Sequence, residues 1–253
     1  EVSNFDGKLG KSDLQISGQL DNILAYFSPN KTLTGDIKLR SNYFNADEWM
    51  TEMEEETAPP APVEPEQEVE IFNRFKFIVD AKIGKIDYDI YQLNNSRAKG
   101  IFTSNELIIN DFGTNIGESD ISGNGNLTNV FNYIFENETL GGEFAMKSDF
   151  FDLNPFMEET ETPGAKKIAN ETEEEYEPIV IPNNIDVKLN ANIKKLTYTN
   201  LNLKDFSGDL GIKDSKVQMS NLSGRTLGGK IEADGYYDTT VPKKPKYKLT
   251  YDI

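Results

Sequence analysis

Laid over itself, the chain matches at two nearly equal offsets, and this repetition constrains its fold more than any other feature. Residues 8–50 align on residues 115–157 at an offset of 107 with no gap. Gly10, Ser12, Asp13, Gly18, Leu20, Asn22, Tyr26, Asn30, Thr32, Leu33, Gly35, Ser41, Phe44 and Met50 meet identical residues, 14 of 43 positions. Leu14/Ile121, Ile23/Val130 and Trp49/Phe156 are similar pairs. At an offset of 110, residues 75–93 align on 185–203, matching Ala81/Ala191, Ile83/Ile193, Lys85/Lys195, Tyr88/Tyr198 and Leu93/Leu203. A period this long exceeds a solenoid turn, so each copy is a multi-strand unit. The expected organisation is one complete module at 73–157, flanked by the C-terminal half of one (1–50) and the N-terminal part of another (181–253). Such a chain reads as a piece of a longer array.

Within the modules the pattern is that of strands. Phe75, Phe77, Val79, Ala81 and Ile83 alternate with Lys76, Ile78, Asp80 and Lys82, and Ile185, Val187, Leu189, Ala191 and Ile193 alternate with Asp186, Lys188, Asn190 and Asn192. A period of two with one charged face predicts antiparallel sheet wetted on one side. Further strands are expected at 85–93 and 195–203, at 107–109 and 217–219, and at 13–20, 34–40, 120–127 and 142–147, with turns at Ser104-Asn105 and Asp214-Ser215. Short helices are expected at 22–27 and 129–135, capped by Asp21 or Thr128, and at 45–55. The fold class is therefore mainly β: repeated, twisted β-sheet modules, groove-like or sandwich, with a few short helices.

Charge is unevenly spread. Residues 51–72 hold eight Glu, four Pro and no basic residue; residues 158–180 hold eight Glu against Lys166 and Lys167. These stretches account for 14 of the 17 net negative charges. Their composition predicts disordered acidic loops or linkers, and neither has the spacing of a calcium loop. The total charge argues against nucleic acid as a partner, while the body outside the loops is nearly neutral.

The chain has no His and no Cys. That excludes disulfides, thiol nucleophiles, zinc ribbons, imidazole metal ligands and Ser-His-Asp triads. Asp120, Asp149 and Asp152 are formal candidates for a glycosidase carboxylate pair. Asp13 and Asp120, however, occupy one repeat-equivalent position, which points to architecture. Gly123-Asn124-Gly125 and Gly228-Gly229 lack the Lys-Ser/Thr of a phosphate loop and read as turn or bulge glycines. The aromatic endings Tyr43-Phe44…Trp49-Met50 and Phe150-Phe151…Phe156-Met157 read as staples that pack the last strand and a short helix onto the sheet. No cofactor, no metal site and no enzymatic activity is expected. No stretch approaches the roughly 18 apolar residues of a membrane span. The opening Glu1-Val2-Ser3-Asn4-Phe5 has neither the basic nor the apolar part of a signal peptide, so an anchor or export signal is expected outside these residues.

Residues 181–238 carry a Pro-led entry, an alternating strand, Lys195-Leu196-Thr197-Tyr198, Ser207-Gly208-Asp209-Leu210, Leu227-Gly228-Gly229 and Gly235-Tyr236-Tyr237-Asp238. In this order they resemble the AsmA-like family of bacterial envelope proteins, in particular its Bacteroidota-type members. GQLDNILAYF (18–27) and SDFFDLNPFM (148–157) look like further pieces of that pattern. The resemblance implies kinship with bridge-like lipid-transfer proteins: an inner-membrane anchor, a periplasmic β-groove, and a role in phospholipid traffic and outer-membrane lipid homeostasis. Envelope proteins docking at the ends of the array are implied partners.

The residues are compatible with that role. An apolar sheet face must be covered by a second layer or by a ligand. Phe75, Phe77, Val79, Ala81, Ile83, Ile185, Val187, Leu189, Ala191 and Ile193 are the candidate lipid-groove lining, with a phospholipid or other acyl lipid as partner. The alternative is a repeat-built β-sandwich stalk or adhesin in which the same residues form closed cores.

Overall fold

The structure is a computed structural model that describes residues 2–23, 31–48, 74–156, 180–226, 228–242 and 244–252. It is mainly β, and the chain divides into two compact units, Glu1–Glu138 and Thr139–Ile253.

The first unit contains β1 (Val2–Leu9), β2 (Ser12–Asp21), β3 (Leu33–Asn45), β4 (Phe75–Tyr88), β5 (Tyr91–Thr103), β6 (Glu106–Ile116) and β7 (Ser119–Thr128), followed by helix α1 (Val130–Glu136). The second contains β8 (Leu140–Asp152), a 3-10 turn at Asn154–Phe156, β9 (Ile185–Tyr198), β10 (Leu201–Lys213), β11 (Lys216–Thr226), β12 (Gly229–Asp238) and β13 (Lys246–Asp252). In each unit the strands lie side by side in sequence order. Each makes its main contacts with its sequence neighbours, so the strands of each unit form one continuous sheet.

Most neighbours are antiparallel, joined by two-residue turns. At Asp214-Ser215 both turn residues have positive φ (50° and 60°), the twist a tight hairpin requires. Two pairs are parallel: β3 with β4, from Leu33↔Phe75 to Asn45↔Asp87, and β8 with β9, from Leu140↔Ile185 to Asp152↔Thr197. Antiparallel pairing throughout was the expectation, and alternation cannot distinguish the two. Parallel neighbours need a long connection that returns the chain along the strand, here about 45 Å for fourteen residues. The acidic segments fall in these two connections. They link adjacent strands of one sheet, and their own structure lies outside the described residues.

The repeat is visible in backbone detail. Asp89 and Thr199, and Asn95 and Asp205, have positive φ at an offset of 110; Gly10 and Gly117, and Asn22 and Asn129, do so at 107. The register of β6–β7 shifts between Ile109 and Phe112, and that of β11–β12 between Met219 and Leu222. The Asn129 amide donates to the Asn105 carbonyl and the Thr239 amide to the Ser215 carbonyl, both at 2.9 Å. Gly123 and Gly125 face the β6 shift, the bulge role expected of them.

The strands are longer than the alternation indicates. β4 runs unbroken through Lys85 to Tyr88, and β6 and β11 each extend well beyond the expected three residues. Bulges reset the period of two partway along, so a fixed alternation loses each strand at its first bulge. Helix α1 appears at the expected place, but its N-cap is Asn129 in the left-handed region with no side-chain cap hydrogen bond, and Thr128 ends β7. The expected helices at 22–27 and 45–55 fall largely outside the described residues.

Candidate functional site

Pairing register shows which side chains share a face, because directly opposed residues point the same way. On β4, Phe77 faces Gly35 and Phe102, Val79 faces Ile37 and Gly100, and Ala81 faces Leu39 and Ala98. On β9, Val187 faces Gly142 and Ile212, Leu189 faces Phe144 and Leu210, and Ala191 faces Met146 and Gly208. In each unit the candidate lining therefore belongs to a multi-strand apolar surface.

Three of the ten candidates are covered by protein. Phe75 is 5% exposed. Its ring lies 5.1 Å from Phe77, 5.3 Å from Phe102 and 5.6 Å from Phe131 of α1, whose ring stacks on Phe102 at 5.3 Å. Helix α1 thus closes one end of the apolar face of the first unit. Ala191 and Ile193 form a buried cluster with Leu196, packed by Met146, Phe151, Leu153, Leu203 and Phe206. Phe77, Val79, Ala81 and Ile83, and Ile185, Val187 and Leu189, are only half-buried. Among the described residues just five hydrophobic side chains are buried. A sandwich of this length would bury many more, since the inner faces of both its layers are withdrawn from water.

The opposite face is ionic. Asp80 pairs with Arg40 at 2.9 Å and Lys99 at 3.4 Å, and Arg97 with Asp111 at 3.3 Å. Burial pushes the Asp80 carboxyl up, but Arg40 and Lys99 outweigh it and hold the group below the usual range. In the second unit the equivalent network has one acid and two amides. Asn190 and Asn221 donate to Asp209 at 2.7 and 2.8 Å, lowering its pKa. Two different sets of charges thus hold equivalent places on the polar face.

Asp13 is structural. Its carboxylate accepts the backbone amides of Asn42 (3.0 Å) and Tyr43 (2.6 Å), the Asn42 side chain (2.9 Å) and the Ser41 hydroxyl (3.3 Å). The two backbone amides are the main reason its pKa falls below the ordinary aspartate value. Ser12 and Ser119, repeat-equivalent neighbours of Asp13 and Asp120, are 0% and 1% exposed.

The aromatic endings pack as staples where they are described. Phe151 stacks on Phe156 at 5.3 Å, and Lys85 lies over Tyr43 (5.5 Å) as Lys195 lies over Phe150 (4.9 Å). Tyr43 donates its hydroxyl to Asp87 at 2.8 Å, which raises the phenol pKa and lowers that of the carboxyl. Trp49, Met50 and Met157 lie outside the described residues.

Sequence reasoning missed the cleft on the polar face of the first unit, of about 420 Å³, lined by residues that include Arg40, Lys82, Gly84, Asn95 and Arg97. The available signal was a basic residue at one register row in three successive strands, readable only once the register is known. Among the described residues no group of three or more acidic side chains could hold a metal ion, and no helix is long and apolar enough to cross a membrane. No protein-family model, curated protein or solved structure matches the chain.

Proposed function

We propose that this chain is a segment of a periplasmic, AsmA-like lipid-handling protein that holds acyl chains on the apolar face of its sheet and performs no catalysis. One observation carries the reading: in each unit half-buried apolar residues line one face of the sheet, and few of them are withdrawn from water. Each methylene moved from water onto that face contributes about 0.8 kcal/mol, so a phospholipid tail supplies the missing second layer. The charged face remains in water, and head groups stay at the margin of the apolar surface. Anchoring of the parent protein in the inner membrane, and a role in outer-membrane lipid homeostasis, follow from the AsmA-like resemblance and belong to the same proposal.

The test is displacement of a fluorescent fatty acid from the purified chain. Val79→Asp and Leu189→Asp place a charge on the apolar face and should each weaken uptake at least about tenfold. Lys76→Asp, on the opposite face, should leave it unchanged. Uptake indifferent to all three changes would refute the groove.

A further inference from the structure

In the second unit, β13 is a regular strand with one side unpaired. It meets β12 at all seven of its residues, from Asp238↔Lys246 to Glu232↔Asp252, with no register shift, and no described strand pairs with its other edge. Every one of its residues is exposed. Tyr247, Leu249 and Tyr251 alternate along the strand and so share a face, and they are 81%, 54% and 66% exposed. Large apolar side chains beside a row of unpaired backbone groups make a template for another strand. In the first unit β1 is also paired on one side only, but a register shift between Val2 and Phe5 interrupts it, which blunts such an edge.

The repeat shows what this edge meets elsewhere, and β13 departs from it. Gly18 faces Ile37 of β3 as Gly235 faces Leu249, so β13 takes the place of β3, and of β8 at the offset of 107. A Cβ on Gly18 would lie 2.0 Å from the Asp36 carbonyl oxygen, and one on Gly235 2.4 Å from that of Lys248, the same close approach in both copies. On this edge β3 and β8 each receive a parallel strand. Gly35 and Gly142 lie opposite Phe77 and Val187 there, and Glu143 pairs with Lys188 at 3.1 Å. β13 has Tyr247 in place of the glycine and Lys248 in place of Asp36 or Glu143. The features that stand against β4 and β9 are therefore missing from it.

The sequence of β13 instead complements itself. Reversed about Leu249, KYKLTYD sets Lys246 opposite Asp252, Tyr247 opposite Tyr251, Lys248 opposite Thr250 and Leu249 opposite its own copy. Opposite charges and aromatic pairs are favourable cross-strand neighbours. A shift of two residues that keeps the same faces places Lys248 opposite its own copy, which repels. Within its own sheet Lys246 forms no ion pair among the described residues. Asp238, which faces it on β12, is held by Lys216 at 3.0 Å and by the Thr240 amide at 3.0 Å.

We propose that β13 is the interface of a two-fold dimer, pairing antiparallel with β13 of a second copy about Leu249. A two-fold contact closes on itself and covers both open edges at once. A seven-residue strand makes a small contact, so the dimer is reversible, with an affinity in the micromolar range. The inference concerns an edge and does not rest on the lipid reading.

The test is sedimentation equilibrium of the whole chain at physiological ionic strength, over protein concentrations that reach the millimolar range. The expected result is a monomer–dimer equilibrium with no larger species. Lys246→Asp and Asp252→Lys each set like charges opposite one another and should weaken the dimer about tenfold. The double variant exchanges the two charges and should dimerise within about twofold of the unchanged chain. Lys8→Asp, on β1, should leave the dimer intact. A variant that merely failed to fold would not be rescued by the second change, so the rescue separates pairing from misfolding. A monomer at every concentration overturns the interface. So does a dimer indifferent to the changes in β13, or a loss in the single variants that the double variant does not restore. Species that grow beyond the dimer and are lost on Lys8→Asp would identify head-to-tail pairing of β13 with β1, and overturn it as well.

Discussion

The Asp13 carboxylate accepts the backbone amide of Tyr43 at 2.6 Å, just beyond the last β2–β3 backbone pair, Gln15↔Arg40. Two strands that have stopped pairing through their backbones are held together there by side chains. Ser12 completes the join by accepting the Asn45 amide at 2.9 Å. Asp13→Ala leaves these amides without their acceptor and should cost about 1–3 kcal/mol. Asp13→Asn keeps one acceptor oxygen and should cost less. Urea midpoints, at an unchanged denaturant slope, would show both.

Acid should weaken the fold, and neutral pH should not. Backbone amides hold the Asp13 pKa down, the Tyr43 hydroxyl that of Asp87, and the Asn221 and Asn190 side chains that of Asp209. The Thr240 hydroxyl and amide, with Lys216, take Asp238 to about 2. Each depressed carboxyl contributes stability above its unfolded value near about 4, and that contribution is lost as pH falls through the lower folded value. With no His in the chain, no side chain has its ordinary pKa between about 5 and 8. Thermal midpoints should be flat from about pH 6 to 8 and should fall between about pH 4 and 2. A midpoint that rises on acidification through that window would contradict this account.

Phe75 and Ile78 sit three residues apart in β4, on opposite faces, at 5% and 54% exposure. Phe75→Ala removes the ring that Phe77, Phe102 and Phe131 surround and should cost about 3–5 kcal/mol. Ile78→Ala should stay within about 0.5 kcal/mol. Equal losses for the two changes would mean that the faces are assigned the wrong way round.

Thr199 holds φ at 49° in the β9–β10 turn, a conformation unfavourable to a β-branched residue. Its repeat partner is Asp89, a residue type better suited to that region. Thr199→Gly should relieve strain and stabilise by about 0.5–1 kcal/mol after the entropy cost of glycine. A lower melting temperature for this variant would mean that the threonine side chain contributes more than the strain costs.

What the sequence disclosed was set by its periods. The runs Phe75–Ile83 and Ile185–Ile193 showed strands and their apolar faces, and the two offsets showed the repeat down to residues such as Asp13 and Gly10. Direction of pairing was invisible, because alternation is the same whether Leu33 meets Phe75 in a parallel or an antiparallel ladder. The acidic segments therefore read as linkers between modules, when they connect adjacent parallel strands. The coverage of Phe75 was hidden too, since Phe131 reaches it from α1 far along the chain. The row Arg40, Lys82 and Arg97 lay on three strands whose register no local pattern fixes. What Asp13 binds was equally out of reach, although its recurrence as Asp120 correctly marked it as structural.

The central claim is that an acyl lipid covers the apolar sheet face, and native mass spectrometry of the chain purified from a bacterial periplasm tests it most directly. The account predicts adducts of phospholipid mass that organic solvent extracts and that Val79→Asp or Leu189→Asp diminishes. Protein that is consistently empty, and that takes up no added phospholipid or fatty acid, would contradict it.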